Sequence, residues 1–310
     1  MLLQILNIIA PVFLVIAAGY ISIRRGYFAD NMLDGLMKFA IQFAVPCLLF
    51  RATSTLDLGA AYDWRMMLAF YSAAAISFSS VSLLSFSVFD KPPGESVAIG
   101  FGALFSNTVL LGLPISERAW GVDNLYPAYA IISIHAPFCY LLGITTMEIV
   151  RSDGRSWPQT TKVVTKAMFS NSLMIGIGLG FIVNLSGIRI PEILASAVDI
   201  LSNAALPAAL FGLGGVLTRY KMSHLPGEVG TVSFFSLLVH PGLTWLLCHL
   251  LSVPENISRT AIIIAAMAPG VNSYLFANMY QRGQSIAASS VLLATAISIV
   301  SVSGWLWILS

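Results

Sequence analysis

The sequence predicts an all-α integral membrane protein with ten transmembrane helices. Of its 310 residues, 57% are hydrophobic and only 10% are charged, whereas a soluble domain carries about 25% charged residues. The mean hydropathy is +0.84, and apolar runs of about 20 residues, the length that crosses a bilayer as a helix, recur along the chain. These runs lack the alternation over about ten residues that is typical of a transmembrane β-barrel. We therefore expect a helical chain embedded in the lipid bilayer.

Ten apolar runs are long enough to cross the membrane, and short connections join them. The longest connection, residues 151–166, is too short to hold a soluble domain. The first run has no basic residue before it and Arg24 and Arg25 after it, the reverse of a secretory signal peptide, so we expect it to stay in the membrane. The expected spans are 4–23, 32–53, 66–89, 96–116, 125–149, 167–187, 192–217, 229–252, 258–280 and 284–308.

The basic residues predict the orientation, because lysine and arginine accumulate in cytoplasmic loops. With the N-terminus outside, the cytoplasmic ends carry most of the 16 basic residues, among them Arg24, Lys91, Arg282 and those of the 151–166 loop. The outer ends then hold Arg51, Arg65, Arg118, Arg189 and Arg259. We therefore expect both termini to lie outside.

Composition and motifs exclude several classes of function. The formal net charge of +2 is too small to predict nucleic-acid binding. The three cysteines, Cys47, Cys139 and Cys248, lie in apolar runs and are expected to be packing residues. The chain has no His-Glu-x-x-His pair, no paired intramembrane aspartates and no serine nucleophile motif with a matching histidine. We therefore expect no catalytic residue, no metal ion and no cofactor, and we do not expect an enzyme.

The 151–166 connection divides the spans into two groups of five, which predicts an inverted repeat. Because five is odd, the second group must enter the membrane from the opposite side. Pro46 lies near the middle of the second span of the first group, and Pro207 lies near the middle of its counterpart. We expect a first five-helix repeat over 1–150, a cytoplasmic linker over 151–166 and an inverted second repeat over 167–310.

The fourth and ninth spans carry residues that interrupt a helix. Ser106–Pro114 reads Ser-Asn-Thr-Val-Leu-Leu-Gly-Leu-Pro, with a proline that removes a backbone donor. Ala268–Ser273 reads Ala-Pro-Gly-Val-Asn-Ser, again within an apolar run. An unpaired amide in lipid costs several kcal/mol, so a break persists only where protein or a water-filled cavity receives the freed groups. Two interrupted helices at corresponding places in two halves indicate the binding site of a secondary transporter.

The two breaks predict a receptor for an anion. A half-helix that starts at a break presents free N–H groups and about half a positive charge, and no lysine or arginine lies near the middle of any expected span. Side-chain hydrogen bonds, each worth about 0.5–1.5 kcal/mol, and an apolar wall would complete the site. The predicted substrate-binding residues are Pro46, Asn107, Thr108, Gly112, Pro114, Pro207, Pro269, Gly270, Asn272, Ser273 and Phe276. The alternative is that these prolines only kink packed helices.

Ionisable residues inside spans are the candidates for energy coupling. Asp199, in the outward half of the seventh span, could carry a proton or hold a cation, or it could reach the outer interface. His135, well inside the fifth span, could titrate near neutral pH or be a hydrogen-bonded core residue. His240 precedes Pro241 and could simply donate to freed backbone. Because the spans hold no cluster of carboxylates, coupling to protons or to the membrane potential is favoured over coupling to sodium.

The motifs resemble those of the auxin efflux carrier family in its bacterial form, and the resemblance covers essentially the whole chain. It rests on Asn107-Thr108-x-x-x-Gly112-Leu113-Pro114, Asn171–Gly180, Leu206–Gly214 and Ala268–Ala277. It departs from the family at Ser172, where the pattern has proline. The resemblance implies a ten-span inverted-repeat carrier of organic anions in the bacterial inner membrane, with unwound fourth and ninth helices that cross at the substrate site. Relatives suggest malonate or auxin-like acids as substrates and a homodimer as the oligomeric state.

The expected function is a secondary transporter of small organic anions that works by alternating access of the elevator type, driven by the membrane potential or by protons. A sodium-coupled organic-anion symporter of the bile-acid type, an anion channel with the same broken helices and a sensor without transport are the alternatives. A saturable flux that accelerates with substrate on the far side would indicate a carrier. A flux linear in concentration would indicate a channel.

Overall fold

The structure is a computed structural model that describes residues 1–150, 172–221 and 227–310. The predicted linker over 151–166 and Asn171 lie outside these residues. All regular elements of the described residues are helical, and the only β pairing among them is one isolated bridge. The all-α prediction is therefore confirmed for the described part of the chain.

The helices before the gap at 151–171 include three of full spanning length and several short ones. They are α1 (Leu2–Arg24), α2 (Asp30–Phe39), α3 (Val45–Ser54), α4 (Leu58–Ala61), α5 (Trp64–Ser87), α6 (Pro93–Leu104), α7 (Leu113–Trp120) and α8 (Tyr126–Val150). The helices after the gap are α9 (Ser172–Ser186), α10 (Glu192–Leu217), α11 (Gly227–Phe234), α12 (His240–Leu250), α13 (Glu255–Ala265), α14 (Val271–Tyr280) and α15 (Gln284–Ile308).

Seven helices of the described residues are long and apolar enough to cross a membrane. Two of these, Asp30–Ser54 and Gly227–Leu250, each join two of the helices above through a π-helical turn. Ser172–Ser186 is a shorter apolar helix in the region of the sixth expected span. The fourth and ninth expected spans, 96–116 and 258–280, are each divided into two short helices, so neither counts as a continuous spanning helix.

Three π-helical turns precede helices whose second residue is proline. The turns are Ala40–Ala44, Thr108–Gly112 and Phe235–Val239, and the prolines are Pro46, Pro114 and Pro241. A proline ring clashes with the carbonyl four residues earlier and has no N–H to donate to it. The wider π turn gives that carbonyl and ring room, so the chain stays helical through the proline. The local hydrophobic pattern does not reveal these three turns, although Pro46, Pro114 and Pro241 each follow one.

Contacts within the chain define two compact units. The break-bearing unit comprises Met1–Ile9, Tyr62–Val164 and Tyr220–Ser310, and the second unit comprises Ala10–Ala61 and Thr165–Arg219. Each unit draws on both halves of the sequence. The division by packing therefore differs from the predicted division by symmetry into 1–150 and 167–310, which stays a prediction.

Glycines in the second unit let helix backbones approach closely. A Cβ atom at Gly176 would meet the backbone of Pro46, and one at Gly214 would meet the backbone of Ile16. A Cβ atom at Gly180 would collide with the Thr53 side chain. Small residues of this kind allow apolar helices to gain van der Waals contact in lipid. Within the break-bearing unit, one buried cluster joins α5, α6, α11 and α15 and consists of Val81, Ile99, Ala103, Val229, Val232 and Ile286.

Candidate functional site

The first break separates α6 from α7. Helix α6 ends at Leu104, and Asn107 then caps the Thr108–Gly112 turn, its Oδ1 accepting from the Leu110 amide at 3.2 Å. Pro114 lies in the first turn of α7, directly after this π turn, which makes room for the proline ring so that the helix continues. The interruption therefore lies before Gly112 and Pro114, whereas the sequence analysis placed the lost hydrogen bond at Pro114.

The second break separates α13 from α14, and it lies where the sequence predicts it. Gly270 is the N-cap of α14, has an extended backbone and provides no capping side chain. In the first turn, the Ser273 amide donates to the Gly270 carbonyl at 2.9 Å, whereas the amides of Val271 and Asn272 lack an intrahelical acceptor. The start of α14 therefore presents free donors and the positive end of the helix dipole.

The two breaks pair with each other through their backbones. Ser106 and Pro269 form an isolated antiparallel bridge. The Asn107 amide donates to the Ala268 carbonyl at 2.9 Å, and the Gly270 amide donates to the Phe105 carbonyl at 2.9 Å. Gly112 packs closely against α13: a Cβ atom added to Gly112 would lie 2.8 Å from Ile264 Cδ1. The structure thus brings most of the predicted site residues of the two breaks into one buried region.

Two buried polar groups at the breaks have no protein partner among the described residues. Asn107 is 6% exposed and Ser273 is 0% exposed, and both Asn107 Nδ2 and Ser273 Oγ lack a hydrogen bond. Leaving such a group unpaired costs about 1–3 kcal/mol, so each requires an explanation. Asn272, on the same helix turn as Ser273, uses its Oδ1 to accept from the Tyr140 hydroxyl at 3.2 Å. In both asparagines the oxygen is engaged by protein, and the amide group carries the donors.

Aromatic rings pack behind the breaks. Phe276 is fully buried and stacks on Phe101, with ring centroids 3.9 Å apart and an interplanar angle of 4°. Phe101 in turn contacts Phe105 and Tyr140. Gly143 leaves the space for this stack, since a Cβ atom there would lie 2.6 Å from Phe101 Cε2. The rings exclude water from one side of the region, which strengthens electrostatic interactions there.

The other predicted binding residues lie in the second unit. Pro46 follows a π turn and lines a groove of about 360 Å³ with Phe43, Phe50 and Leu179. Pro207 is exposed within α10. Their assignment to the substrate cavity stays a prediction.

Asp199, one of the two coupling candidates, forms an ion pair in the second unit. Its Oδ1 accepts from Arg51 Nε at 2.8 Å, and both side chains are nearly half exposed. Both roles that the sequence leaves open for Asp199, energy coupling and a place at the outer interface, stay predictions. Within the described residues, no group of three or more His, Cys, Asp and Glu side chains is arranged to hold a metal ion.

Two buried imidazoles flank Ser106, the bridge residue. His135, the second coupling candidate, is 1% exposed and lies against the Ser106 backbone, with its ring edge-on to the Phe105 ring. His240 is 0% exposed, and its Nδ1 lies 3.3 Å from Ser106 Oγ. The sequence places His240 among the ionisable residues inside spans, with donation to freed backbone as its simpler role, but it does not predict the contact with the break. The one available signal was its position beside Pro241.

The chain is similar to known proteins over most of its length. It matches the family model described as "Membrane transport protein" over residues 4–306. It is 20% identical over 307 residues to the "Putative malonate transporter" of Rhizobium meliloti (strain 1021), covering 99% of this chain and 96% of the relative. It is 19% identical to "Auxin efflux carrier component 5" of Arabidopsis thaliana, covering 96% of this chain and 94% of the relative. It is 27% identical to the "Lysosomal cholesterol signaling protein" of Mus musculus, covering 94% of this chain but only 36% of that protein.

Proposed function

This chain belongs to the membrane transport protein family, as its motifs predicted, and from that premise we propose that it is a secondary transporter of small organic anions. The substrate class is carboxylates such as malonate or auxin-like acids. Transport proceeds by alternating access of the elevator type. The membrane potential supplies about 2.3 kcal/mol per charge per 100 mV, and protons are the second source of energy.

The observation that carries the proposal is the set of hydrogen-bond donors that the paired breaks bring together. The oxygens of Asn107 and Asn272 are engaged by the Leu110 amide and the Tyr140 hydroxyl, so both amide groups remain to donate. The start of α14 adds backbone donors without a capping side chain. The breaks contain no lysine or arginine. An arrangement of donors and dipole ends suits a carboxylate, whereas a cation would require acceptors.

The same proposal includes the architecture that the sequence predicts. The chain spans the bacterial inner membrane ten times as a 5+5 inverted repeat, with both termini outside and with the fourth and ninth spans crossing at Ser106–Pro269. The substrate contacts Asn107, Thr108, Asn272 and Ser273, while Phe276 forms an apolar wall. Pro46 and Pro207 line the cavity, and two copies assemble as a homodimer. The broken helices α6–α7 and α13–α14 and their backbone pairing support the crossing.

The test replaces each donor by an acceptor while keeping the local structure. In Asn107→Asp the carboxylate still accepts from the Leu110 amide, and aspartate is an equally good N-cap, but an anionic oxygen replaces the amide donor. In Asn272→Asp the carboxylate still accepts from Tyr140. The purified variants are tested for malonate binding by thermal shift and for malonate counterflow in proteoliposomes. Asn256→Asp is the control, because Asn256 is exposed and contacts only the Tyr126 hydroxyl among the described hydrogen bonds.

We expect Asn107→Asp and Asn272→Asp each to weaken malonate binding by at least about tenfold, since a hydrogen bond to a charged group is worth about 1.5–3 kcal/mol. Asn256→Asp should behave like the wild-type chain. Saturable uptake with acceleration by malonate on the far side supports a carrier. Wild-type binding and counterflow in both break variants would refute the site, and flux that rises linearly with malonate would indicate a channel.

A further inference from the structure

We propose that His135 and His240 form a proton-binding pair that couples protonation to anion binding at the helix breaks. The inference rests on the proposed function, because it concerns the energy source of that transport. Among the described residues, these imidazoles contact the bridge residue Ser106 from two sides. No carboxylate of the spans occupies a comparable position in the described residues, since Asp199 is paired with Arg51.

The rings of His135 and His240 approach Ser106 from two different helices. His135 comes from the middle of α8 and reaches the Ser106 backbone, and its ring lies edge-on to Phe105 at 4.8 Å between centroids. His240 starts α12 and reaches the Ser106 hydroxyl. Phe70 packs against both rings, with centroids 5.8 Å from His135 and 5.1 Å from His240. The His135 ring thus lies against the backbone of Ser106, and the His240 ring contacts the Ser106 hydroxyl.

Within the described residues, no charged side chain hydrogen-bonds to His135 or His240. The titratable neighbours are neutral groups: Cys139 Sγ lies 3.8 Å from both ring nitrogens of His135, and the Tyr71 ring lies 6.3 Å from its ring. The Tyr71 hydroxyl donates to the Ile131 carbonyl at 2.8 Å. The charged residues of the helices packed around the pair are Arg65, Glu95, Glu117, Arg118, Glu148, Glu255 and Arg259. Within the described residues, the side-chain hydrogen bonds of the two imidazoles go to Ser106 and Cys139 and to none of these charged groups. A proton on the pair would therefore be the dominant charge beside the breaks.

Protonation changes which hydrogen bonds the two imidazoles can make. A neutral imidazole has one donor and one acceptor, whereas an imidazolium has two donors. When His240 is protonated, its Nδ1–H donates to Ser106 Oγ, so the hydroxyl must turn its own proton away. The added positive charge lies beside Ser106, which precedes Asn107 in the chain, and attracts an anion to the break. Binding of a proton and of an anion then favour each other by the same free energy.

Mutual repulsion limits the pair to one proton. Two imidazolium ions that share one buried residue would disfavour each other's charged form. A single proton that is bound only together with the anion changes anion affinity by up to about tenfold per pH unit. The transported complex is then an anion with one compensating proton.

The experiment measures malonate affinity against pH and proton movement during malonate uptake into proteoliposomes that contain a trapped pH-sensitive dye. The range from about pH 6.5 to 8.5 is used because carboxylic acids stay ionised there. The variants are the double variant His135→Gln/His240→Asn, whose amides hydrogen-bond but do not titrate, and Ser106→Ala, which removes the hydroxyl between the pair and the break. Ser77→Ala is the control, since Ser77 is fully buried on α5 and its Oγ has no partner among the described residues.

The wild-type chain and Ser77→Ala should bind malonate several-fold more tightly for each unit of falling pH and should move protons with malonate. The double variant should bind malonate with reduced affinity that does not change with pH, and its residual uptake should move no protons. Ser106→Ala should weaken the pH dependence. Proton movement retained in the double variant, or malonate uptake without protons in the wild-type chain, would overturn the inference while the proposed function stands. Failure of the wild-type chain to bind or move any organic anion would overturn the proposed function itself.

Discussion

Ser106 and Pro269 are the non-hydrogen-bonded pair of an isolated antiparallel bridge. The two hydrogen bonds of this bridge come from the flanking residues, the Asn107 amide and the Gly270 amide. Pro269 has no N–H group, and it occupies a position where the bridge needs no donor. Proline can therefore occupy the segment after α13 without removing a hydrogen bond of the bridge, the loss of which in a membrane would cost several kcal/mol.

Gly270→Pro tests the contribution of the bridge. Gly270 has φ −73°, a value that proline adopts without strain. The substitution removes the amide that donates to the buried Phe105 carbonyl. An unsatisfied buried acceptor costs about 1–3 kcal/mol, so we expect a lower melting temperature and weaker malonate binding in a thermal-shift assay.

Gly270→Ala is the matched control for that substitution. A Cβ atom at this position would lie 3.5 Å from Phe105 Cδ1 and 3.6 Å from Asn107 Cα, which are ordinary contact distances. The amide and its hydrogen bond to Phe105 are kept. The alanine variant should melt close to the wild-type chain, and equal effects of alanine and proline would show that the bridge bond contributes nothing.

Tyr140→Phe should weaken anion binding without unfolding the chain. The Tyr140 hydroxyl donates to Asn272 Oδ1 at 3.2 Å and thereby fixes which way the Asn272 amide points. Without the hydroxyl, the amide can rotate and present its oxygen, which repels an anion. We expect malonate affinity to fall by about threefold to tenfold, as for one lost hydrogen bond of about 1 kcal/mol, measured by calorimetry. Phe138→Tyr adds a hydroxyl elsewhere on α8. Combined with Tyr140→Phe, it should not restore malonate binding.

The sequence predicts the helical class, the positions of most helices and the presence of two breaks, because apolar length and proline are local signals. It misplaces the first break, because Pro114 begins α7 and does not itself interrupt a helix, whereas Asn107 determines the interruption through a cap. The contact of His240 with Ser106 joins residues far apart in the chain, and hydrophobic periodicity contains no information on such pairs. The π turns depend on how a carbonyl avoids a proline ring, which a pattern of 3.6 residues does not resolve.

Gly143→Ala should destabilise the break-bearing unit. A Cβ atom at Gly143 would lie 2.6 Å from Phe101 Cε2 and 3.2 Å from Phe276 Cε2, so the stacked rings must move. Overpacking of this kind costs about 1–3 kcal/mol, which exceeds the roughly 1 kcal/mol that alanine gains over glycine in a helix. Thermal unfolding in detergent should show a lower melting temperature.

Gly304→Ala provides the comparison within the same unit. Gly304 lies in α15, and a Cβ atom there has nothing within 4 Å. Only the helix propensity then changes, so this variant should melt at the wild-type temperature or slightly higher. A Gly143→Ala variant that is as stable as Gly304→Ala would mean that the Phe101–Phe276 stack relaxes freely.

The ion pair between Lys91 and Glu228 should make stability depend on alkaline pH. Lys91 Nζ lies 3.0 Å from Glu228 Oε1, and Glu228 is 5% exposed. Hydrogen bonding to Glu228 raises the pKa of Lys91 above its usual 10.5. A raised pKa means that the folded chain holds the proton more tightly than the unfolded chain. The contribution of the pair to stability is therefore complete below about pH 10.4 and is lost as the pH rises through the pKa of the folded state.

Two substitutions separate the partners of this pair. Glu228→Gln leaves Lys91 partly exposed and still 3.9 Å from Glu95 Oε1, so we expect a loss of about 1 kcal/mol at neutral pH. Lys91→Ala leaves the buried Glu228 carboxylate without its cation, and we expect a larger loss of about 3–5 kcal/mol. The melting-temperature difference between the wild-type chain and Glu228→Gln should shrink above about pH 10.4, because the wild-type pair is lost there. A difference that stays constant from neutral to alkaline pH would show that the pair does not couple the Lys91 proton to folding.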